Sequence, residues 1–294
     1  MRLTRSAKEL QEWTECYRRA GLGVGLAPTL GGLHGGHLAL FDRARSECER
    51  VVASIYLNPT QFNAAADLES YPADLGADLE ACRGAGVDLV YVGQRQDLLP
   101  PGFQTGVEVT ELSRRLCGAF RPGHFRGVVT VVSQLLHVAK PHRAYFGCKD
   151  YQQARVIERL VRDLVMDVEI RLVPTVREPD GLALSSRNAL LNPEERAVAP
   201  ALYRTLREVE ERIRSGERRT DVLEAFLREK LSGEPRLEVE YAEILDGATL
   251  EPFAAGELAG RGGGVLVAVA VHLGAARLID NILISPEKGS ERGV

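Results

Sequence analysis

The sequence predicts an α/β protein: a doubly wound, parallel, Rossmann-like sheet followed by a second, smaller α+β C-terminal domain. Short runs rich in Val, Ile and Tyr alternate with segments of helical period, as in successive βαβ units. After about residue 175 a long charged helical stretch precedes three more apolar runs. A chain of 294 residues, 45% of them hydrophobic, can form two ordinary domains, which we place at 1–176 and 177–294.

Five apolar runs of strand length predict the parallel sheet. They are GVGLAP (23–28), VVASIYL (51–57), VDLVYVG (87–93), RAYFG (143–147) and DVEIRLVPT (167–175). Apolar residues at helical spacing predict helices over 38–49 and 151–164.

The second domain has its own start signal and strands. Asn192, Pro193 and Glu195 form the pattern of a helix start with a capping box. Strands are predicted for VEYAEI, VLVAVAVHL and RLIDNILI, with GRGGG (260–264) in a loop between strands. His272 lies in an apolar strand, and we expect it to be a satisfied core histidine rather than a ligand.

Composition excludes several classes of function. The 37 Lys and Arg against 41 Asp and Glu give a net charge of −4, so no global basic field favours nucleic acid or an acidic membrane. Five scattered cysteines without a CxxC pair predict neither a disulfide framework nor a zinc knuckle. The N-terminus lacks the apolar core of a secretory signal, and no run of about 18 apolar residues occurs. We therefore expect a cytoplasmic protein without nucleic-acid or membrane partners.

The stretch PTLGGLHGGH (28–37) carries the first candidate site. It follows a predicted strand and precedes an amphipathic helix, so the glycine N–H groups are expected to be unpaired at the positive end of the helix dipole. That is where phosphate binds, and His34 and His37 would donate to its oxygens. A flexible loop with two solvated histidines, or a partial metal site, remains an alternative. No GxGxxG or GxxxxGK[ST] occurs, which argues against NAD binding and P-loop chemistry.

Three further segments place polar side chains after predicted strands, at the edge where ligands of open α/β folds gather. Asn58 and Gln61 can read hydroxyl groups or a carboxylate. Lys149 can form half of a triphosphate clamp, opposite hydroxyl and guanidinium groups. Each segment alone is also compatible with an ordinary turn or helix cap. The segments are SIYLNPTQF (54–62), FGCKDYQQ (146–153) and REPDGLALSSRN (177–188).

Together with LCGAFRPGHFRGVVTVVSQLL (116–136), these segments resemble the signature segments of the pantothenate synthetase (pantoate–β-alanine ligase) family, in the same order. The resemblance covers about residues 22 to 200 with strong motifs, and extends more loosely to about 284. It implies a two-step reaction. Pantoate attacks the α-phosphate of ATP to give pantoyl adenylate and pyrophosphate, and the amine of β-alanine then displaces AMP.

The resemblance also implies roles for individual residues. Catalytic roles fall to His34, His37, Lys149 and Arg187. Pantoate binding falls to Asn58, Gln61 and Gln153. Magnesium accompanies ATP, with Asp78 near the ion through water. A homodimer through the N-terminal domain is implied as well. ATP binding falls to Leu30, His34, His37, Gly147, Lys149, Asp150, Val176, Ser185, Ser186 and Arg187.

The chain departs from the usual family pattern at several positions. Gly35 and Cys148 each stand where relatives carry Glu, while Leu30 and Gly32 replace Met and Ala. Cys148 beside Lys149 is either a thiol with a lowered pKa or a buried, inert one. Arg121 and His124 in RPGHF are either near the active site or part of loop packing. Two rival functions stay open: a nucleotidyltransferase acting on a phosphate-bearing substrate, and a nucleotide-binding regulatory protein without turnover.

Overall fold

A computed structural model describes residues 1–63, 68–69, 71–258 and 263–285. The chain forms two compact units. The first comprises residues 1–178 and 183–189, and the second comprises residues 179–182 and 190–294. The assignment of domains 1–176 and 177–294 from sequence stays a prediction.

The first unit is built on a six-stranded sheet in which every pairing is parallel. Its strands are β1 Arg2–Thr4, β2 Val24–Thr29, β3 Arg50–Ile55, β4 Leu89–Val92, β5 Arg143–Gly147 and β6 Glu169–Val173. Its helices are α1 Ala7–Arg19, α2 Gly35–Glu47, α3 Leu75–Gly84, α4 Arg95–Leu98, α5 Cys117–Phe120, α6 His124–Ala139 and α7 Tyr151–Asp163, with short 3₁₀ turns at Pro59–Gln61, Cys148–Asp150 and Ser186–Leu190.

The strand order β1-β4-β3-β2-β5-β6 creates a topological switch point. From β2 the chain moves to β3 on one side, and it later returns to β5 on the other. The loops that leave the carboxyl ends of β2 and β5 therefore diverge to opposite sides of the sheet. In open α/β folds this crevice is where ligands bind.

The fold predicted from sequence is confirmed, and its five strands are found within two residues at each end. The strand β1 was missed because three residues carry too little pattern to be recognised. Helix α2 begins at Gly35 rather than at residue 38, because the side chain of His34 caps the helix one turn before the apolar stripe begins.

Two apolar cores hold the sheet between its helices. One packs side chains of β2, β3, β4 and β5 against α1, α6 and α7, with Leu10, Leu26 and Ile157 fully buried. The other packs the opposite face against α2 and α3, with Phe41 at its centre. At roughly 2 kcal/mol per fully buried large apolar side chain, burial on both faces makes this sheet a rigid support for its edge loops.

The second unit combines helices with a three-stranded antiparallel sheet, whose strands in spatial order are β7 Glu238–Asp246, β8 Val265–Leu273 and β9 Ala276–Ile284. The side chain of Asn192 accepts the Glu195 N–H, and the carboxylate of Glu195 accepts the Asn192 N–H, both at 2.9 Å. The predicted capping box at the start of the first helix is therefore confirmed. Residues 260–262 of the predicted GRGGG loop lie outside the described residues. The helices of this unit are α8 Pro193–Val198, α9 Ala201–Arg214 and α10 Thr220–Ser232.

The expectation for His272 is wrong. Its side chain is 46% exposed, and Nε2 lies 3.3 Å from Oε1 of Glu240. The neighbours Val271 and Leu273 are buried, because alternate residues of a strand point to opposite faces. The histidine therefore occupies the opposite face, beside a carboxylate.

Candidate active site

The loops after β2 and β5 begin side by side at the carboxyl edge of the sheet, as predicted, before they diverge to its two faces. Strand β2 pairs in parallel with β3 on one side and β5 on the other. The glycine-rich loop with His34 follows β2, the turn with Lys149 follows β5, and the segment with Asn58 follows β3. Segments from three separate parts of the chain are thus brought to one edge of the sheet, after the adjacent strands β3, β2 and β5.

The glycine-rich loop differs from the prediction in one decisive respect. Its N–H groups were expected to be unpaired, and most of them are not. The Gly31 N–H donates to Oγ1 of Thr29 at 3.4 Å. The N–H groups of Gly32 and Leu33 donate to the two carboxylate oxygens of Asp78 at 3.0 and 2.7 Å. An internal carboxylate therefore takes the donors that a phosphate-binding loop would offer.

The start of α2 is capped by the two histidines themselves. Nδ1 of His34 accepts the N–H of Gly36 at 3.1 Å, and Nδ1 of His37 accepts the N–H of His34 at 3.2 Å. A ring nitrogen that accepts a hydrogen bond carries no proton, so in the neutral ring the proton is on Nε2. Each histidine consequently presents an Nε2–H donor, and their ring centroids are 4.2 Å apart.

Both imidazoles are held in the neutral form. Burial, reinforced by the charge of Lys149, lowers the pKa of His34 from 6.5 to about 4. Burial, reinforced by His34, lowers the pKa of His37 to about 3. Two neutral donors placed beside a lysine can bind an anion without transferring a proton at neutral pH. The pair therefore fits a phosphate-binding role better than an acid–base role.

Acid should destabilise the protein through this pair. A histidine whose pKa is lower in the folded state stabilises the fold fully above the unfolded value of 6.5, and that stabilisation is lost as the pH falls toward the folded values. Thermal unfolding across a buffer series should show the melting temperature of the wild type dropping as the pH falls from about 6.5 to about 4. A His34→Asn, His37→Gln double variant should show a shallower drop. Equal slopes would contradict the assignment of neutral, capping histidines.

The segment 184–187 forms a second wall against the same loop. A Cβ atom built on Gly35 would lie 3.0 Å from Cδ1 of Leu184, so the absence of a side chain at 35 leaves room for this contact. The hydroxyl of Tyr71 donates to the Gly31 carbonyl at 3.3 Å and also bonds the side chain of Ser186. The Ser186 hydroxyl, one of the groups predicted from sequence, therefore lies beside the glycine-rich loop, and the charge of Arg187 acts on the same tyrosine.

The same segment is ordered internally. The Arg187 N–H donates to Oγ of Ser185 at 3.2 Å, and the Leu184 N–H donates to the carbonyl of Val176 at 3.0 Å. These bonds bring Val176 to the segment that carries the predicted clamp.

Lys149 lies in the 3₁₀ turn after β5. Its Nζ is 3.7 Å from Oδ1 of Asp150, with 20% of the lysine side chain exposed. The charges of both residues act on the pKa values of His34 and His37, which places the four groups in one electrostatic environment. Burial raises the pKa of the neighbouring Cys148 thiol, which favours the inert alternative for that residue.

Asn58 and Gln61 form a connected amide pair after β3. Asn58 is 1% exposed, and its Oδ1 accepts from the N–H and Oγ1 of Thr60 at 3.1 and 2.7 Å. Its Nδ2 donates to the carbonyl of Gly127 and to Oε1 of Gln61, both at 3.1 Å. Because Oε1 of Gln61 accepts this bond, Nε2 is the donor group of the same amide.

The RPGHF segment supports this pair from behind. Arg121 donates to the Gln61 carbonyl at 3.1 Å, and Nδ1 of His124 donates to the same oxygen at 2.7 Å. These contacts fit the loop-packing alternative, and the loop that they support is the one that carries Asn58 and Gln61. Sequence reasoning missed Gln152, whose buried amide bonds Leu112, Arg115 and Cys117. The sequence has two consecutive glutamines, Gln152 and Gln153, and the prediction used only Gln153, which is half-buried.

Removing the Asn58 amide should destabilise the fold. Asn58→Ala leaves the Thr60 N–H and the Gly127 carbonyl without their bonds, at a cost of about 1–3 kcal/mol. Chemical denaturation measures this, with Asn63→Ala as the matched control, because Asn63 makes an exposed bond to the Pro122 carbonyl at 2.8 Å. We expect a change below about 0.5 kcal/mol for the control. A comparable effect of both substitutions would contradict the supporting role of Asn58.

Among the described residues, no group of three or more His, Cys, Asp or Glu side chains could hold a metal ion. Asp78 is 4% exposed, and each of its oxygens already accepts a backbone N–H. Magnesium demands octahedral geometry and keeps several waters. The side chains present therefore do not make a metal site by themselves.

The comparisons with known proteins identify the family of this chain. The family model for pantoate-beta-alanine ligase matches residues 2–283. A pantothenate synthetase of Thermotoga neapolitana is 48% identical over 284 residues, which cover 97% of this chain and 100% of that protein.

Two solved structures extend the agreement to the fold. The crystal structure of pantothenate synthetase from Thermus thermophilus has a TM-score of 0.88 at 43% identity, covering 97% of this chain and 100% of that one. A pantoate-beta-alanine ligase from Francisella tularensis, crystallised with beta-gamma ATP and beta-alanine, has a TM-score of 0.78 at 31% identity, covering 96% of this chain and 97% of that one. The chain described here therefore belongs to the pantoate–β-alanine ligase family.

Proposed function

We propose that this protein condenses pantoate with β-alanine to pantothenate, using ATP and releasing AMP and pyrophosphate. The observation that carries the proposal is the pairing of two unlike subsites at one sheet edge. One subsite has neutral Nε2–H donors from His34 and His37 beside the cation of Lys149. The other has the oriented amide of Gln61. The relative from Francisella tularensis, crystallised with beta-gamma ATP and beta-alanine, supports ATP and β-alanine as ligands.

In the first step a carboxylate oxygen of pantoate attacks the α-phosphorus of ATP. The bond between that phosphorus and the bridging oxygen to the β-phosphate breaks, and pyrophosphate leaves with its electron pair. Transfer to phosphorus requires alignment and charge stabilisation more than it requires a covalent enzyme group. Nε2–H groups of His34 and His37 donate to phosphate oxygens, while Lys149 and the predicted clamp at 185–187 neutralise the leaving group.

Pantoate is held by amides rather than by cations. We assign its binding to the Nε2 donor of Gln61, with Gln153 at the start of α7 and Asn58 behind Gln61. In the second step the neutral amine of β-alanine attacks the acyl carbon of the adenylate. The bond from that carbon to the phosphate oxygen breaks, AMP leaves with the electron pair, and the new amide nitrogen loses a proton.

The remaining ATP contacts are assigned on the same basis. Leu30 precedes the histidine loop, Gly147 precedes the 3₁₀ turn of Lys149, Asp150 ends that turn, and the Val176 carbonyl accepts the Leu184 N–H. We propose that these residues line the nucleotide site together with Ser185, Ser186 and Arg187.

Magnesium is proposed as the ion that accompanies ATP, held by phosphate oxygens and water. A contact between Asp78 and this ion through water is a prediction that the Asp78→Asn experiment described below decides. We also propose a homodimer and a cytoplasmic location. All five cysteines are free thiols, which supports a reducing compartment. Among the described residues, no helix is long and apolar enough to cross a membrane.

Product analysis tests the proposed function. The protein, ATP, magnesium, pantoate and β-alanine should yield pantothenate and AMP in equal amounts, without ADP. Omission of either organic substrate should abolish pantothenate formation. Formation of ADP instead of AMP would contradict attack at the α-phosphate and would indicate an acyl-phosphate route.

A further inference from the structure

The glycine-rich loop holds an anion-binding turn that the protein fills itself. Consecutive N–H groups that point to one spot form a nest that binds anions. The N–H groups of Gly32 and Leu33 do so here, and each meets a separate oxygen of Asp78 at 3.0 and 2.7 Å. The carboxylate is 4% exposed, so the nest is closed to any external anion.

The turn is shaped around this carboxylate. Gly31 and Gly32 have φ values of +93° and +63°, a backbone region that glycine adopts without strain. A Cβ atom on Gly31 would lie 3.0 Å from Oδ2 of Asp78, and one on Gly32 would lie 2.4 Å from the Pro72 carbonyl oxygen. Side chains at these positions would push the loop off its anchor.

The loop leads directly into the reactive donors. Leu33, whose N–H is bound by Asp78, immediately precedes His34, and His34 caps α2 through its own ring. A shift of the turn therefore moves the Nε2–H groups of both histidines. Misplacement of a binding group by about 1 Å can cost about a hundredfold in rate.

We propose that Asp78 is a positioning residue, an internal carboxylate that occupies the nest of the 31–33 loop and thereby places His34 and His37 for ATP, and is not a magnesium ligand. This inference rests on the proposed function, because it concerns the same ATP site. It assigns phosphate recognition to side chains, in contrast to loops that bind phosphate through backbone N–H groups.

Asp78→Asn tests the proposal. The amide keeps one acceptor oxygen but turns an NH₂ group toward the second backbone N–H, so one anchor is lost while the volume is kept. Asp74→Asn on the same helix is the matched control. Asp74 is exposed and caps α3 by accepting the Ala77 N–H at 3.1 Å, a role that Asn fills equally well.

Two measurements separate positioning from metal binding. The first is calorimetric titration with ATP in EDTA. The second is the magnesium concentration for half-maximal activity at saturating ATP. We expect Asp78→Asn to weaken metal-free ATP binding at least tenfold and to leave the magnesium requirement unchanged, with wild-type values for Asp74→Asn. Unchanged metal-free binding together with a raised magnesium requirement would overturn the proposal.

Tyr71→Phe is a second variant that disturbs the same loop, for use if Asp78→Asn fails to fold. It removes the hydroxyl that bonds the Gly31 carbonyl and the side chain of Ser186, and it leaves the Asp78 carboxylate in place. A positioning role for the loop anchors predicts weaker metal-free ATP binding by severalfold, and wild-type binding would count against it. The failure of the proposed function and the failure of the positioning role give different results. Wild-type protein that binds no ATP would refute the proposed function, whereas normal ATP binding by the variants would refute only the positioning role.

Discussion

Replacing Lys149 by Ala is expected to slow pantoyl adenylate formation by about a hundredfold to a thousandfold. The ammonium of Lys149 stands beside both histidines in a partly buried site, where a fixed charge acts strongly on the pyrophosphate that develops in the transition state. Because this charge matters mainly in the transition state, kcat should fall more than KM for ATP rises. Rapid-quench measurement of adenylate from pantoate and ATP gives the rate directly.

Lys8→Ala is the matched control for this result. Lys8 is 83% exposed on α1 and pairs only at the surface with Glu12, so its loss should leave the rate unchanged. Lys149→Arg should restore part of the rate, since the charge is kept while the shape differs. An adenylation rate near the wild-type value in Lys149→Ala, with protein that is folded, would show that the clamp is assigned to the wrong residue.

The second large effect separates the two roles of His34. His34→Asn should keep the helix cap, because asparagine is among the best capping residues, but it removes the Nε2–H donor. We expect a loss of about a hundredfold in adenylate formation with a melting temperature close to that of the wild type. His34→Ala should lose a similar amount of activity and, in addition, about 1 kcal/mol of stability.

Paired unfolding curves and adenylation rates for the two variants decide this point. If His34 were only a cap, His34→Asn would be active. If it were only a phosphate contact, both variants would be equally stable. If His34 both caps the helix and contacts phosphate, the Asn variant is stable and inactive, and the Ala variant is inactive and less stable.

Most of the fold and the family were accessible from sequence. Alternating apolar runs predicted the sheet, and the order of its motifs indicated the pantothenate synthetase family, which the comparisons confirm. Parallel strands send their carboxyl ends to one edge, so the convergence of segments at 34, 58 and 149 followed from topology. The assignment of individual residues to ATP and pantoate stays a prediction.

The internal chemistry of the site was not accessible in this way. The N–H groups of the glycine-rich loop were expected to be unpaired because they lie in the loop and first turn at a helix N-terminus. The acceptor of the Gly32 and Leu33 N–H groups, Asp78, is 46 positions away from Gly32 and reaches the loop from another helix. Asn58 was likewise predicted as a direct pantoate contact, while its bonds to Gly127, 69 positions away, depend on a tertiary contact with α6.

The departures from the family pattern also acquire physical meaning. Gly35, which stands where relatives carry Glu, leaves space that the Leu184 side chain fills. Cys148 is partly buried with a raised pKa, so no reactive thiolate stands beside Lys149. Neither replacement removes a side-chain group that the proposed reaction uses.

The central claim, activation of pantoate as an acyl adenylate, is tested most directly by isotope exchange. Labelled pyrophosphate should enter ATP when the protein is given magnesium and pantoate without β-alanine, because the first step is reversible on its own. No label should enter ATP when pantoate is omitted. The absence of pantoate-dependent exchange in protein that is folded and binds ATP would contradict the account.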